Sequence, residues 1–200
     1  KVIDAGDGNN DIRAYNADDV VITTGTGNDI IRARYSTVDI TAGDGDDDVV
    51  VSGLEDGDFV DGGDGMDLIR FRMNDGYYDP EDATTDMNDD FADRFEDFEM
   101  VKLCYLNSAT VDMAYLNDIQ HVKLGRYADN ATLQGLSDGA ILDFERDNVG
   151  DNVTVELTDT GDDESFNLNL FSAPDYGAYL SPGYEQTEGG GDDFGTLTLN

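Results

Sequence analysis

Large apolar residues return along the first third of the chain at a steady interval: Ile3, Ile12, Val21, Ile31, Ile40, Val49, Val60 and Ile69 lie 9 to 11 residues apart. Glycines and polar residues fill the gaps. A helix would repeat its apolar face about every three to four residues. The longer interval suits a short strand with an inward side chain, followed by a tight turn. Two such half-turns make one coil of about 18 residues, so the pattern predicts a parallel β-roll whose turns stack in register. From Met73 to Glu99 the regularity stops. Asn74 to Pro80 is turn-rich, and Met87, Phe91, Phe95 and Phe98 are spaced for a short amphipathic helix from Asp86 to Asp97, its aromatic face packed on the solenoid end.

After Met100 the pattern is alternation. Val101/Leu103, Thr110/Val111, Val122/Leu124, Thr132/Leu133, Ile141/Leu142/Phe144, Val153/Val155/Leu157, Phe166/Leu168/Leu170 and Leu197/Leu199 mark short strands, separated by turns such as Ser137-Asp138-Gly139 and Gly150-Asp151-Asn152. The expected fold class is therefore all-β. Residues 1–74 form a parallel β-roll, 75–99 an acidic linker with a short helix, and 100–200 a second all-β segment, solenoid or sandwich.

The turns carry the candidate chemistry. Ala5 to Arg13, Thr24 to Arg32, Ala42 to Val50 and Gly62 to Arg70 share one layout, with sixth positions Asn10, Asp29, Asp47 and Asp67 separated by 19, 18 and 20 residues. A Gly-x-Gly step turns tightly and exposes carbonyls, and stacked turns offer carboxylates and carbonyls to shared clefts. Such an all-oxygen set suits a hard cation, Ca²⁺ above all. Four turns enclose three clefts. The candidate ligands are the side chains of Asp29, Asp47, Asp67 and Asn10, the carbonyls at Asp7, Thr26, Asp44 and Asp64, and those of the flanking Gly6, Gly8, Gly25, Gly27, Gly43, Gly45, Gly63 and Gly65. Asn10 brings no charge, so the first cleft is expected to bind less tightly. Asp47 borders two clefts and Asp67 one. The opposite edge (Ala14 to Asp19, Ala33 to Val38, Gly53 to Asp58) is poor in glycine, and weak or empty sites are expected at Asp19 and Asp58.

The copy from Gly62 to Arg70 fits the nonapeptide G-G-x-G-x-D-x-U-x, U being a large apolar residue, at every fixed position. On this motif the first third of the chain resembles the RTX (repeats-in-toxin) family. The resemblance implies a right-handed calcium-binding β-roll with about three ions along one edge. More loosely, Phe95 to Leu103 and Ala131 to Leu142 look like β-solenoid segments beside RTX repeats in S-layer proteins and large adhesins of Gram-negative bacteria. That likeness implies an extracellular scaffold or lattice protein, exported by type I secretion, that self-assembles with other copies.

Charge narrows the partners. There are 46 acidic against 11 basic residues, a net charge of -35. A phosphate backbone would be repelled, which excludes nucleic acid, and an anionic membrane surface is disfavoured. No stretch is long and apolar enough to insert in a bilayer. Three divalent ions would bring the charge of -35 only to about -29, so metal neutralises turns and not the whole chain. Cys104 is the single cysteine, which excludes an intrachain disulfide, and is read as a small strand residue. His121 is the single histidine, which excludes multi-histidine metal sites, and no nucleophile elbow accompanies it. The chain is expected not to be an enzyme. It starts in phase without methionine and ends within a strand, so a longer chain is expected. Two alternatives stay open: a calcium-stabilised adhesin for a cell-surface or polysaccharide ligand, with Tyr176, Tyr179 and Tyr184 as the hint, or a non-catalytic module of a secreted enzyme or toxin.

Overall fold

Alternation of side chains across an extended backbone sets this fold. The computed structural model describes residues 1–16, 19–34, 37–52, 54, 56–72, 89–104, 106, 109–117, 119–125, 131–136, 139–144, 153–157, 167–170, 184–188 and 195–199. Short strands pass in turn between two sides of a β-solenoid. One side is a single eight-stranded parallel sheet of β2 (Asp11–Tyr15), β4 (Ile30–Arg34), β6 (Asp48–Val51), β8 (Leu68–Arg72), β10 (Met100–Cys104), β12 (His121–Leu124), β14 (Ile141–Phe144) and β16 (Asn167–Leu170). The other side holds two sheets. The first is parallel: β1 (Val2–Gly6), β3 (Val20–Thr24), β5 (Val38–Thr41), β7 (Phe59–Asp61) and β9 (Phe95–Glu96). In the second, β11 (Thr110–Asp112), β13 (Ala131–Leu136) and β15 (Val153–Leu157) run parallel, and β18 (Gly195–Leu199) and β17 (Tyr184–Glu188) add antiparallel to it.

Like residues stack on like. Ile12, Ile31, Val49, Ile69, Val101, Val122 and Leu142 form one register row, and Ile22, Ile40, Val60 and Phe95 another. Most of these side chains are fully buried, and they belong to one hydrophobic core. The eight-stranded sheet crosses residue 74 without a break, because β8 pairs with β10 from Leu68↔Met100 to Arg72↔Cys104. Where the alternation resumes after Met100, it continues the same solenoid side.

Two expectations are corrected. Val21 does not face inward: it is exposed, and its neighbours Val20 and Ile22 fill the core. A nine-residue count lands one residue off here and so on the wrong face. Of the helix expected from Asp86 to Asp97, residues 86–88, Met87 among them, lie outside the described residues; α1 spans Asp89–Ala92, and the chain is in strand again by Phe95. Phe91, Phe95 and Phe98 are buried, but Phe95 sits in β9 and Phe98 just before β10. Phe71, Phe91 and Phe95 pack with ring centroids 5.5 to 5.8 Å apart. Their spacing reflects a shared aromatic core and not a helical face. Among the described residues, no helix is long and apolar enough to cross a membrane.

Candidate metal centre

The four glycine-rich turns stack along one edge. Thr26 bridges to Asp44 and Asp44 to Asp64 in parallel fashion. The Gly8, Gly27 and Gly45 N–H groups donate to the carbonyls of Thr26, Asp44 and Asp64 at 2.6, 2.7 and 2.8 Å. In the other direction, Gly25, Asp44 and Asp64 donate to the carbonyls of Gly6, Gly25 and Gly43 at 3.1, 2.9 and 3.0 Å. These carbonyls, expected as ligands, therefore already tie turn to turn, and each keeps a second lone pair. Glycine is required where backbone lies over backbone. Gly63 has φ +91°, and a Cβ on it would come within 2.0 Å of Gly43 O. Among the third-position side chains, Asp7 Oδ1 accepts from Thr26 N–H at 3.1 Å, and Asp44 and Asp64 are exposed.

The sixth positions make a second ladder. Asp29 Oδ1 accepts from Asn10 N–H at 2.6 Å, Asp47 Oδ1 from Asp29 N–H at 2.7 Å, and Asp67 Oδ1 from Asp47 N–H at 2.7 Å. Each carboxylate thus caps the coil before its own. All three are buried, at 1%, 2% and 0% exposure. Their remaining oxygens, Asp29 Oδ2, Asp47 Oδ2 and Asp67 Oδ2, are buried with no hydrogen-bond partner. A buried anion with an unsatisfied oxygen is costly. Burial above all pushes the Asp47 carboxyl up to about 6 and that of Asp67 up to about 7. The hydrogen bond from the preceding coil pulls the other way, and neighbouring carboxylates add to the rise.

Asn10 solves the same problem differently. Its Nδ2 donates to Gly6 O at 3.1 Å, Gly8 O at 2.6 Å and Asp29 Oδ1 at 3.2 Å. One N–H₂ group thus sits among two turn carbonyls and a carboxylate. In the following coils the same position of the repeat carries an anionic oxygen. The donor set at these clefts is oxygen only, and hard divalent cations take such sets.

Two features escaped the sequence reading. The fifth positions form their own ladder: Asn9 Oδ1, Asn28 Oδ1 and Asp46 Oδ1 accept from the N–H groups of Asn28, Asp46 and Met66 at 3.0, 3.2 and 3.1 Å. The consecutive Asx residues in three of the turns were the available signal. The second is Glu99, assigned to the linker, whose Oε2 accepts from Asp67 N–H at 2.7 Å.

Elsewhere the acids are occupied or exposed. On the opposite edge, Asp58 is buried and its Oδ1 accepts from Val38 N–H at 2.8 Å. Asp19 is exposed, and its carbonyl accepts from the Lys1 amino group. Residues 17, 18, 35, 36, 53 and 55 of that edge lie outside the described residues. Asp61, Glu96 and Asp97 bring carboxylate oxygens within 4.8 Å of one another at the β7–β9 edge. His121 Nε2 lies 2.7 Å from Asp143 Oδ2, between β12 and β14. Cys104 ends β10 and is half-buried. Tyr184 begins β17, while Tyr176 and Tyr179 lie outside the described residues. No protein-family model, curated protein or solved structure matches this chain.

Proposed function

We propose that this chain is a calcium-dependent structural module of a secreted bacterial cell-surface protein, an S-layer-like scaffold with no catalytic role of its own. One observation carries the reading: three stacked, buried carboxylates each keep one oxygen without a partner. A divalent cation between Asp29 and Asp47, and another between Asp47 and Asp67, would satisfy those oxygens together with carbonyls of the glycine turns. Calcium would supply positive charge and accept a flexible shell of oxygen ligands; the chain would supply those oxygens on turns tied together by backbone hydrogen bonds. The resemblance to RTX repeats supports calcium as the ion.

The magnitudes fit a folding role. Extracellular calcium modules bind at about 10⁻⁴–10⁻³ M. At a tenfold excess over the dissociation constant, about 10⁻³–10⁻² M, each ion stabilises by about 1.4 kcal/mol. A few such sites approach the roughly 5–15 kcal/mol that separates a folded domain from its unfolded chain. Export from low to high calcium would thus switch folding on. In the first cleft, the Asn10 amide holds the place of the ion.

Self-association rests on the likeness to S-layer segments. Register places Arg13, Arg32, Arg70, Lys102 and Lys123 in one row of the eight-stranded sheet, with Val50 between Arg32 and Arg70. Within the same chain Asp11 pairs with Arg13 and Arg32, and Asp48 with Arg70.

The test is a calcium titration of the chelator-treated chain, read by far-ultraviolet circular dichroism and light scattering, with magnesium as control. The expected result is a calcium-specific gain of β signal, with scatter growing as copies associate. A full β signal in chelator, unmoved by calcium, would overturn the calcium reading. A β gain with flat scatter would overturn the scaffold role alone.

A further inference from the structure

We infer that Glu99 is a calcium ligand that closes a cleft with Asp67 at the far end of the turn stack. This rests on the calcium reading above and extends it to a coil with no Gly-x-Gly turn. Ile30, Asp48 and Leu68 donate their N–H groups to the carbonyls of Asn10, Asp29 and Asp47 at 2.8, 2.9 and 2.8 Å, and Met100 repeats this with Asp67 O at 3.0 Å. Leu68 pairs with Met100, so Glu99 stands where Asp67 stands one coil earlier. Its side chain makes the bond that defines the ladder, Oε2 accepting from Asp67 N–H at 2.7 Å. The sixth-position series therefore runs Asn10, Asp29, Asp47, Asp67, Glu99.

Independent contacts bring this coil onto the fourth turn. Gly62 N–H donates to Glu96 O at 3.0 Å, and a Cβ on Gly62 would lie 2.0 Å from Asp97 O. Asp97 takes φ 55°, a left-handed conformation that these turns otherwise give to glycine. The second observation is Asp67 itself. It is fully buried and its Oδ2 has no partner, as expected for a carboxylate between two ions, with Asp47 on one side and Glu99 on the other. Glu99 is exposed, so this cleft opens to solvent and exchanges its ion faster than the inner two. An ion here would tie the regular roll to the coil stacked on its end, through partners 32 residues apart in sequence.

The test counts calcium bound to the full chain at saturation, by equilibrium dialysis, in wild type, Glu99→Gln, Asp67→Asn, Asp47→Asn and the control Glu96→Gln, with circular dichroism on each. Glu99→Gln keeps an acceptor for Asp67 N–H and removes the charge. It is expected to bind one ion fewer than wild type with its β signal intact, while Glu96→Gln binds the full number. Asp67→Asn is expected to lose as many ions as Asp47→Asn, a comparison that stands even if Glu99→Gln folds poorly. Undiminished binding in Glu99→Gln, or an Asp67→Asn loss one ion smaller than that of Asp47→Asn, overturns the role of Glu99 and leaves the inner clefts standing. A wild-type chain that takes no calcium overturns both readings.

Discussion

At Asn10 an N–H₂ group stands where the next three coils have a carboxylate oxygen. With Nδ2 donating to Gly6 O, Gly8 O and Asp29 Oδ1, the first cleft is satisfied without an ion. Asn10→Asp would turn three attractions into three repulsions at a half-exposed edge. In chelator it should destabilise the chain by about 0.5–1.5 kcal/mol, the usual net contribution of a hydrogen bond. In calcium it should bind one ion more than wild type and recover that loss. Denaturant unfolding in both conditions, with an ion count, checks this; equal stability in chelator and an unchanged count would mean the amide does not stand in for an ion. The sequence showed that Asn10 lacks charge. Only the tertiary contacts show which end of the amide faces the carbonyls.

Among the elements, β9 and the chain that leads into β10 join the regular roll to the later coils of the solenoid alongside the β8–β10 pairing. Phe95 pairs above Val60 and packs its ring 5.7 Å from Phe71 and 5.8 Å from Phe91. At 1% exposure, its truncation leaves a cavity in the middle of the solenoid. Phe95→Ala should cost about 3–5 kcal/mol. Chemical denaturation in saturating calcium measures it, and a loss below about 1 kcal/mol would show that this coil is not part of the cooperative core. The aromatic residues were legible in the sequence as a group. Their three-to-four-residue spacing suggested a helix because periodicity cannot tell an amphipathic helix from a turn and strand that happen to aim the same side chains inward. The parallel ladder available at β7 decided it.

For the whole molecule, charge and burial act together on pH dependence. Asp47 and Asp67 have folded-state values of about 6 and about 7, raised by burial from 3.8. A raised carboxyl binds its proton more tightly in the folded chain, so its contribution to stability is full below about pH 4 and is lost as pH rises through 6 to 7. Repulsion within a chain of net charge -35 acts in the same direction. In chelator, stability should therefore fall between about pH 4 and 7. In calcium the dependence should reverse, because the ion takes the deprotonated carboxylates. Thermal unfolding across this range in both buffers checks the sign, and parallel profiles would sink the coupling of these groups to the ion.

The sequence alone determined the repeat, the all-β class, the edge on which the four glycine turns stack and the acids at Asp29, Asp47 and Asp67. Those features are local and periodic: glycine is needed where one backbone lies over another, and alternation sets which side chains can point inward. It did not determine that Val20 and Ile22, not Val21, face the core, because a one-residue shift reverses a strand's faces. Nor did it show that β8 pairs with β10 across the irregular stretch, which brings Glu99 to Asp67. Partners 32 residues apart, outside any fixed spacing, are chosen by packing and hydrogen-bond register, and those exist only once the coils have stacked.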